Sequence, residues 1–147
     1  MASIDTDIVS ARPQMTAELM ARTGLDEEIL TRLVHRFYEK VRGDAVLGPI
    51  FGSRISDWEP HLEKMVAFWS SVALMTGRYQ GAPVPAHAGL PVQWDHFERW
   101  LDLFRQIARE TCPPEGAAHV IERAERIARS LHRAVEDAKT RTILSML

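Results

Sequence analysis

A single cysteine, Cys112, in 147 residues leaves no partner for an internal disulfide. No run of about 18 apolar residues occurs, so no segment reads as a membrane-spanning helix. Neither sign of charge dominates: 18 Lys and Arg face 20 Asp and Glu, a formal net charge of −2. A nucleic-acid binder would show its basic stripe in such totals. Gly-x-Gly-x-x-Gly and the P-loop are missing, which removes the usual phosphate cradles. His-Glu-x-x-His is missing too, against a zinc protease, and so is Glu-x-x-His, against a di-iron bundle. Period-two alternation, internal repeats and low-complexity tracts are absent. The first residues, Met1 to Asp7, are acidic and lack the apolar core of a secretory signal, so a cytoplasmic location is the default expectation.

What is present is helical. The apolar fraction is 46% and the charged fraction 26%, and the length suits one domain with a real core. Residues 1–22 read as an N-terminal extension, partly without period, with a short helix over Pro13–Arg22 that Gly24 would end. The domain proper is expected over 23–147. Leu30, Leu33, Val34, Phe37, Tyr38 and Val41 recur at three- and four-residue steps, predicting a helix over Asp26–Arg42. Thr23 and Asp26 have capping-box spacing. Val46–Phe51 reads as a tight apolar turn around Pro49. A second helix should start near Asp57, capped by Ser56 and Glu59 and ended by Gly77. Its stripe is Trp58, His61, Leu62, Met65, Phe68, Trp69 and Val72. A third is expected over Gln93–Thr111, and a fourth from Pro114 to beyond Ala138. The predicted class is all-α.

Between the second and third helices lies Gly81-Ala82-Pro83-Val84-Pro85-Ala86-His87-Ala88-Gly89-Leu90-Pro91. His87 stands on this constrained segment among small apolar residues, where it can present one ring nitrogen to a metal between the helices. A bare ion would be under-coordinated there, because no second Cys, His or carboxylate stands beside it. Haem iron, which brings most of its own ligands, would not. Taken alone, a loop histidine is usually just that.

Three polar-tipped rings interrupt the apolar stripes, one per long helix: Tyr38, His61 and Trp100. Each alone is most simply core. Together they converge on one cavity in which they satisfy one another, meet water or serve a ligand. His35 and His132 fall near polar faces and His96 and His119 near helix starts, so all four are expected to be solvated or capping. Cys112 has nothing beside it in sequence to activate a thiolate and reads as buried or idle.

The chain resembles the truncated haemoglobins, specifically the third group. The resemblance covers about residues 23–137. It is carried by Leu33-Val34-His35-Arg36-Phe37-Tyr38, Leu47-Gly48-Pro49-Ile50-Phe51, Trp58-Glu59-Pro60-His61, Phe68-Trp69, Ala86-His87 and His96-Phe97-Glu98-Arg99-Trp100-Leu101. It implies a globin-like two-over-two helical sandwich around haem b. It implies His87 as the proximal iron ligand, and Tyr38, His61 and Trp100 as the distal pocket. Phe37, Met65, Phe68, Trp69 and Trp100 are implied around the haem. Like the third group, the chain lacks paired-glycine motifs. One departure is Ala88, where the family commonly has a bulkier Leu, which alters packing beside His87.

The resemblance further implies five-coordinate iron that binds O2, NO and CO, with NO detoxification as a candidate reaction and a reductase as partner. Tyr38 and Trp100 would donate hydrogen bonds to O2, each contributing roughly 1–3 kcal/mol to its retention. His61 would donate as well or act as a gate. Two alternatives stay open: a haem peroxidase-like redox enzyme, and a cofactor-free helical interaction module.

Overall fold

The computed structural model describes residues 10–81 and 90–146. Six helices and no strands occur among them: α1 Pro13–Thr23, α2 Glu27–Gly43, α3 Leu47–Gly52, α4 Trp58–Leu74, α5 Trp94–Thr111 and α6 Pro114–Ser145. None is long and apolar enough to cross a membrane.

Helix α2 shows why the period was readable. All six of its predicted apolar positions are buried. Its start differs from the expected capping box: Asp26 is the cap, its carboxylate accepting from Ile29 N at 2.8 Å. Thr23 instead donates to Leu19 O and accepts from Leu25 N, closing the end of α1. Gly24 follows in the left-handed region at φ 75°, where a Cβ would also meet Pro113 at 3.0 Å.

The Val46–Phe51 turn is a short helix. Asp44 accepts from Val46 N and Leu47 N, satisfying donors that a helix start leaves orphaned. Pro49 falls within the first turn, where a missing N–H costs little, so it permits α3 rather than preventing it. Arg99 of α5 donates to the same Asp44 carboxylate at 2.7 Å and pins α3 to α5.

Helix α4 corrects two further expectations. Its cap residue is Asp57, with no side-chain bond from Ser56 or Glu59, and it ends at Leu74 with Met75 in the left-handed region, before Gly77. Its fully buried face is Val66, Trp69, Ser70, Ala73 and Leu74. Trp58, Leu62, Met65, Phe68 and Val72 of the expected stripe are only half-buried. Helix α5 opens with a reciprocal Gln93–His96 capping box. Helix α6 packs along α5, and Gly116 admits its first turn against Leu25 and Thr23, where a Cβ would lie 2.7 Å from Leu25.

The pair α2 and α4 crosses the pair α5 and α6, with α1 packed on α4 and α6. Aromatic rings join the layers. Phe104 is stacked between Trp69 at 4.9 Å and Trp100 at 5.7 Å, and Phe37 meets Tyr38, Trp100 and Phe104 edge-on at 5.0–5.4 Å. This layered arrangement sets the donors of α2 and the rings of α5 around one chamber.

Candidate functional site

A cavity opens between α2, α3, α5, α6 and the stem Leu90–Val92. It holds about 80 Å³ of free space, enough for a diatomic gas or a few waters. Tyr38 and Trp100 line it, with Leu47, Ile50 and Phe51 from α3, Leu90 and Val92 from the stem, His96 and Phe97 from α5, and Ala128 and Leu131 from α6. The wall is hydrocarbon except for the Tyr38, Trp100 and His96 rings.

Tyr38 is 5% exposed, and burial pushes its phenol well above the ordinary range, so it stays a protonated donor. His61 meets its ring edge-on at 5.2 Å, and the His61 Nε2 is shut off from solvent. Trp58 flanks both, at 6.0 Å from Tyr38 and 5.5 Å from His61, with the Arg42 guanidinium 4.5 Å over its own ring. Phe37 sits between Tyr38 and Trp100 and fixes their spacing.

The structure thus brings Tyr38 and His61 into contact and sets Tyr38 and Trp100 on one cavity. It places the other sequence candidates further back. Trp69 lies in the stack on Phe104, Phe68 contacts Trp69 and Tyr79, and Met65 is half-buried against the core. His87 lies outside the described residues. Among those described, no group of three His, Cys, Asp or Glu could hold a metal ion.

Sequence reasoning missed the contribution of α3, whose three apolar residues wall the cavity once Asp44 and Arg99 hold the helix in place. His96 was set aside as a cap. It is one, its Nδ1 accepting from Gln93 N at 3.0 Å, and it also lines the cavity. That acceptor role leaves its ring proton on Nε2 when neutral. His119, expected to be solvated or capping, is buried instead. Its Nε2 bonds to Ala73 O at 2.9 Å, and desolvation holds its pKa below the ordinary value. The spacing gave no sign that α4 ends against it. Cys112 is buried, its thiol pushed up to about 11 by desolvation.

Comparison with known proteins agrees with this architecture. The bacterial-like globin family model matches residues 19–133. The group 3 truncated hemoglobin ctb of Campylobacter jejuni is 36% identical over 109 residues, spanning 71% of this chain and 86% of that protein. The crystal structure of a group III truncated hemoglobin from Campylobacter jejuni aligns with a TM-score of 0.71 at 34% identity, covering 76% of this chain and 91% of the other. With its two-over-two helices and the cavity they enclose, the chain belongs to the bacterial-like globins and, within them, to the group III truncated haemoglobins.

Proposed function

We propose that this globin binds haem b through His87 and holds a diatomic gas, O2, NO or CO, in the chamber beside Tyr38 and Trp100. The observation that carries the proposal is the apolar cavity with Tyr38 and Trp100 on its wall. Hydrocarbon walls suit a flat apolar macrocycle that brings its own nitrogen ligands. When bound, the haem supplies an iron with one open position for a small gas. The rest is done by the chain. Tyr38, kept protonated by burial, offers an O–H, and Trp100 offers an indole N–H, each able to donate to a partly negative diatomic ligand. His61, against Tyr38, orients that phenol and adds a donor or a gate. Phe37 touches the Tyr38 and Trp100 rings and Trp69 backs Trp100 through Phe104, while Phe68 packs on Trp69 and Met65 on the core.

Donors in a dry chamber favour slow release of O2, which suits gas chemistry better than transport. NO detoxification is the reaction this arrangement favours. Conversion of NO and O2 to nitrate takes up one electron per turnover and so implies a reductase as partner. A peroxidase-like activity would use the same donors on peroxide, and turnover of NO against turnover of peroxide separates the two. The main test is optical. Purified protein should show a Soret band that His87→Ala loses or shifts. A colourless protein, or an unaltered spectrum in His87→Ala, would refute the proposal.

A further inference from the structure

The five residues after α4 are tied down by a chain of side-chain bonds that the globin chamber itself does not use. Ser70, on the buried face of α4, donates to Glu27 Oε2 at the start of α2. Its one hydroxyl proton is thereby committed, so Thr76 Oγ1 must be the donor in the 2.7 Å bond between Thr76 and Ser70. Arg78 donates to the other Glu27 oxygen, Oε1. Thr76 and Arg78 both belong to the strap after α4, and both end on Glu27. Ser70 is fully buried and Thr76 is 2% exposed, so the bond between them is sheltered from water, while the Arg78–Glu27 pair lies at the surface. Further bonds act on the same strap. Tyr79 N donates to Ser71 Oγ at 2.8 Å, Ala11 N donates to Thr76 O at 3.1 Å, and the Tyr79 ring meets Phe68 at 5.1 Å.

Apolar packing alone would not need this. A connection between two helices is ordinarily a surface segment with few bonds of its own. This one leads by chain continuity into the segment that carries His87. The far end of that segment is held too, Lys139 Nζ donating to Val92 O at 3.0 Å. We infer that Glu27 is a positioning residue: through Ser70, Thr76 and Arg78 it fixes the strap from which His87 is presented to the haem. The inference rests on His87 being the iron ligand.

The test uses ferrous, haem-loaded protein. Thr76→Val is nearly isosteric and removes one link; Glu27→Ala removes the anchor; Thr76→Ser restores the hydroxyl. The iron–imidazole stretch is read by resonance Raman, and haem loss by transfer to an excess of apomyoglobin. Thr76→Val and Glu27→Ala should broaden the stretch and speed haem loss about tenfold, as supporting residues of metal ligands do, while Thr76→Ser behaves as the parent. In a His87→Gly background loaded with haem and free imidazole, Thr76→Val should leave the stretch unchanged, because that ligand is not tethered to the strap. An unchanged stretch in both single variants overturns the inference. So does equal broadening with free imidazole, which would mark a general loosening. A native stretch in His87→Gly without imidazole would instead overturn the assignment of His87 itself, and the positioning role with it.

Discussion

Phe37 is the residue on which chamber geometry and stability meet. It is 1% exposed and touches Tyr38, Trp100 and Phe104 edge-on. Truncation to Ala removes a buried ring and leaves a void, a change that costs about 4 kcal/mol in comparable cores. Against a total stability of about 5–15 kcal/mol, that loss risks unfolding. Phe37→Leu is the more informative change. It keeps most of the volume and forfeits three ring contacts, each worth at least about 0.5 kcal/mol, so a loss of about 1.5 kcal/mol is expected. The functional effect should exceed what stability alone implies, because Phe37 is the spacer between Tyr38 and Trp100. If misplacement of the two donors weakens O2 retention by about 1 kcal/mol, release accelerates about fivefold. Urea unfolding of the haem-free protein measures the first number, and stopped-flow O2 release from the loaded protein measures the second. A Phe37→Leu protein with parental stability and parental release would show that the ring is a filler, and the spacer argument would fail.

Tyr38→Phe and Trp100→Phe should each speed O2 dissociation, and unchanged stopped-flow rates in both would remove the donor argument. Ala128→Leu adds three carbons to the cavity wall from α6 and should lower the haem-to-protein ratio without weakening the haem-free fold; full haem uptake would place the site elsewhere. Asp44 supplies a pH test. The Arg99 bond and the Val46 and Leu47 amides lower its carboxyl to about 2 from 3.8, although burial opposes them. A folded pKa below the unfolded one stabilises fully above about pH 4, and the contribution is lost as pH falls through about 2. Arg99→Ala should therefore lower stability at pH 7 to 9, where the contribution is fully present, and the gap from the parent should close as pH falls towards about 2; a gap that stays the same from pH 7 down to pH 2 would contradict this. His61→Ala should raise the O2 association rate if the ring is a gate and leave it unraised if the ring is only a donor.

How much of this was legible depended on whether the cause was local. Helix α2 was readable residue by residue, because its six apolar positions need only their own period. Of Tyr38, His61 and Trp100, expected on one cavity, Tyr38 and Trp100 share its wall and His61 meets the Tyr38 ring. Helix α3 was not readable, because Pro49 counts against a helix until its place within the first turn is known. The buried face of α4 was misjudged by part of a turn, since Ser70 and Ala73 look unremarkable in a stripe and Trp58 and Met65 look like core. His119 and Glu27 show the same limit. One appears as a histidine near a helix start and the other as an acidic first-turn residue. Their partners, Ala73 and Ser70, stand more than forty positions away. Spacing reports what a helix can bury; it does not report which carbonyl or hydroxyl will arrive from elsewhere.

Cys112 has a practical consequence. With its thiol pushed up to about 11, only about one molecule in a thousand carries the thiolate at pH 8, and the sulfur is sheltered besides. Alkylation should then be slow in the folded chain and quicken when the corner between α5 and α6 opens. The chain thus contains a built-in chemical clock for local opening at one known position, readable by mass with no label added and with no second sulfhydryl to confuse the count.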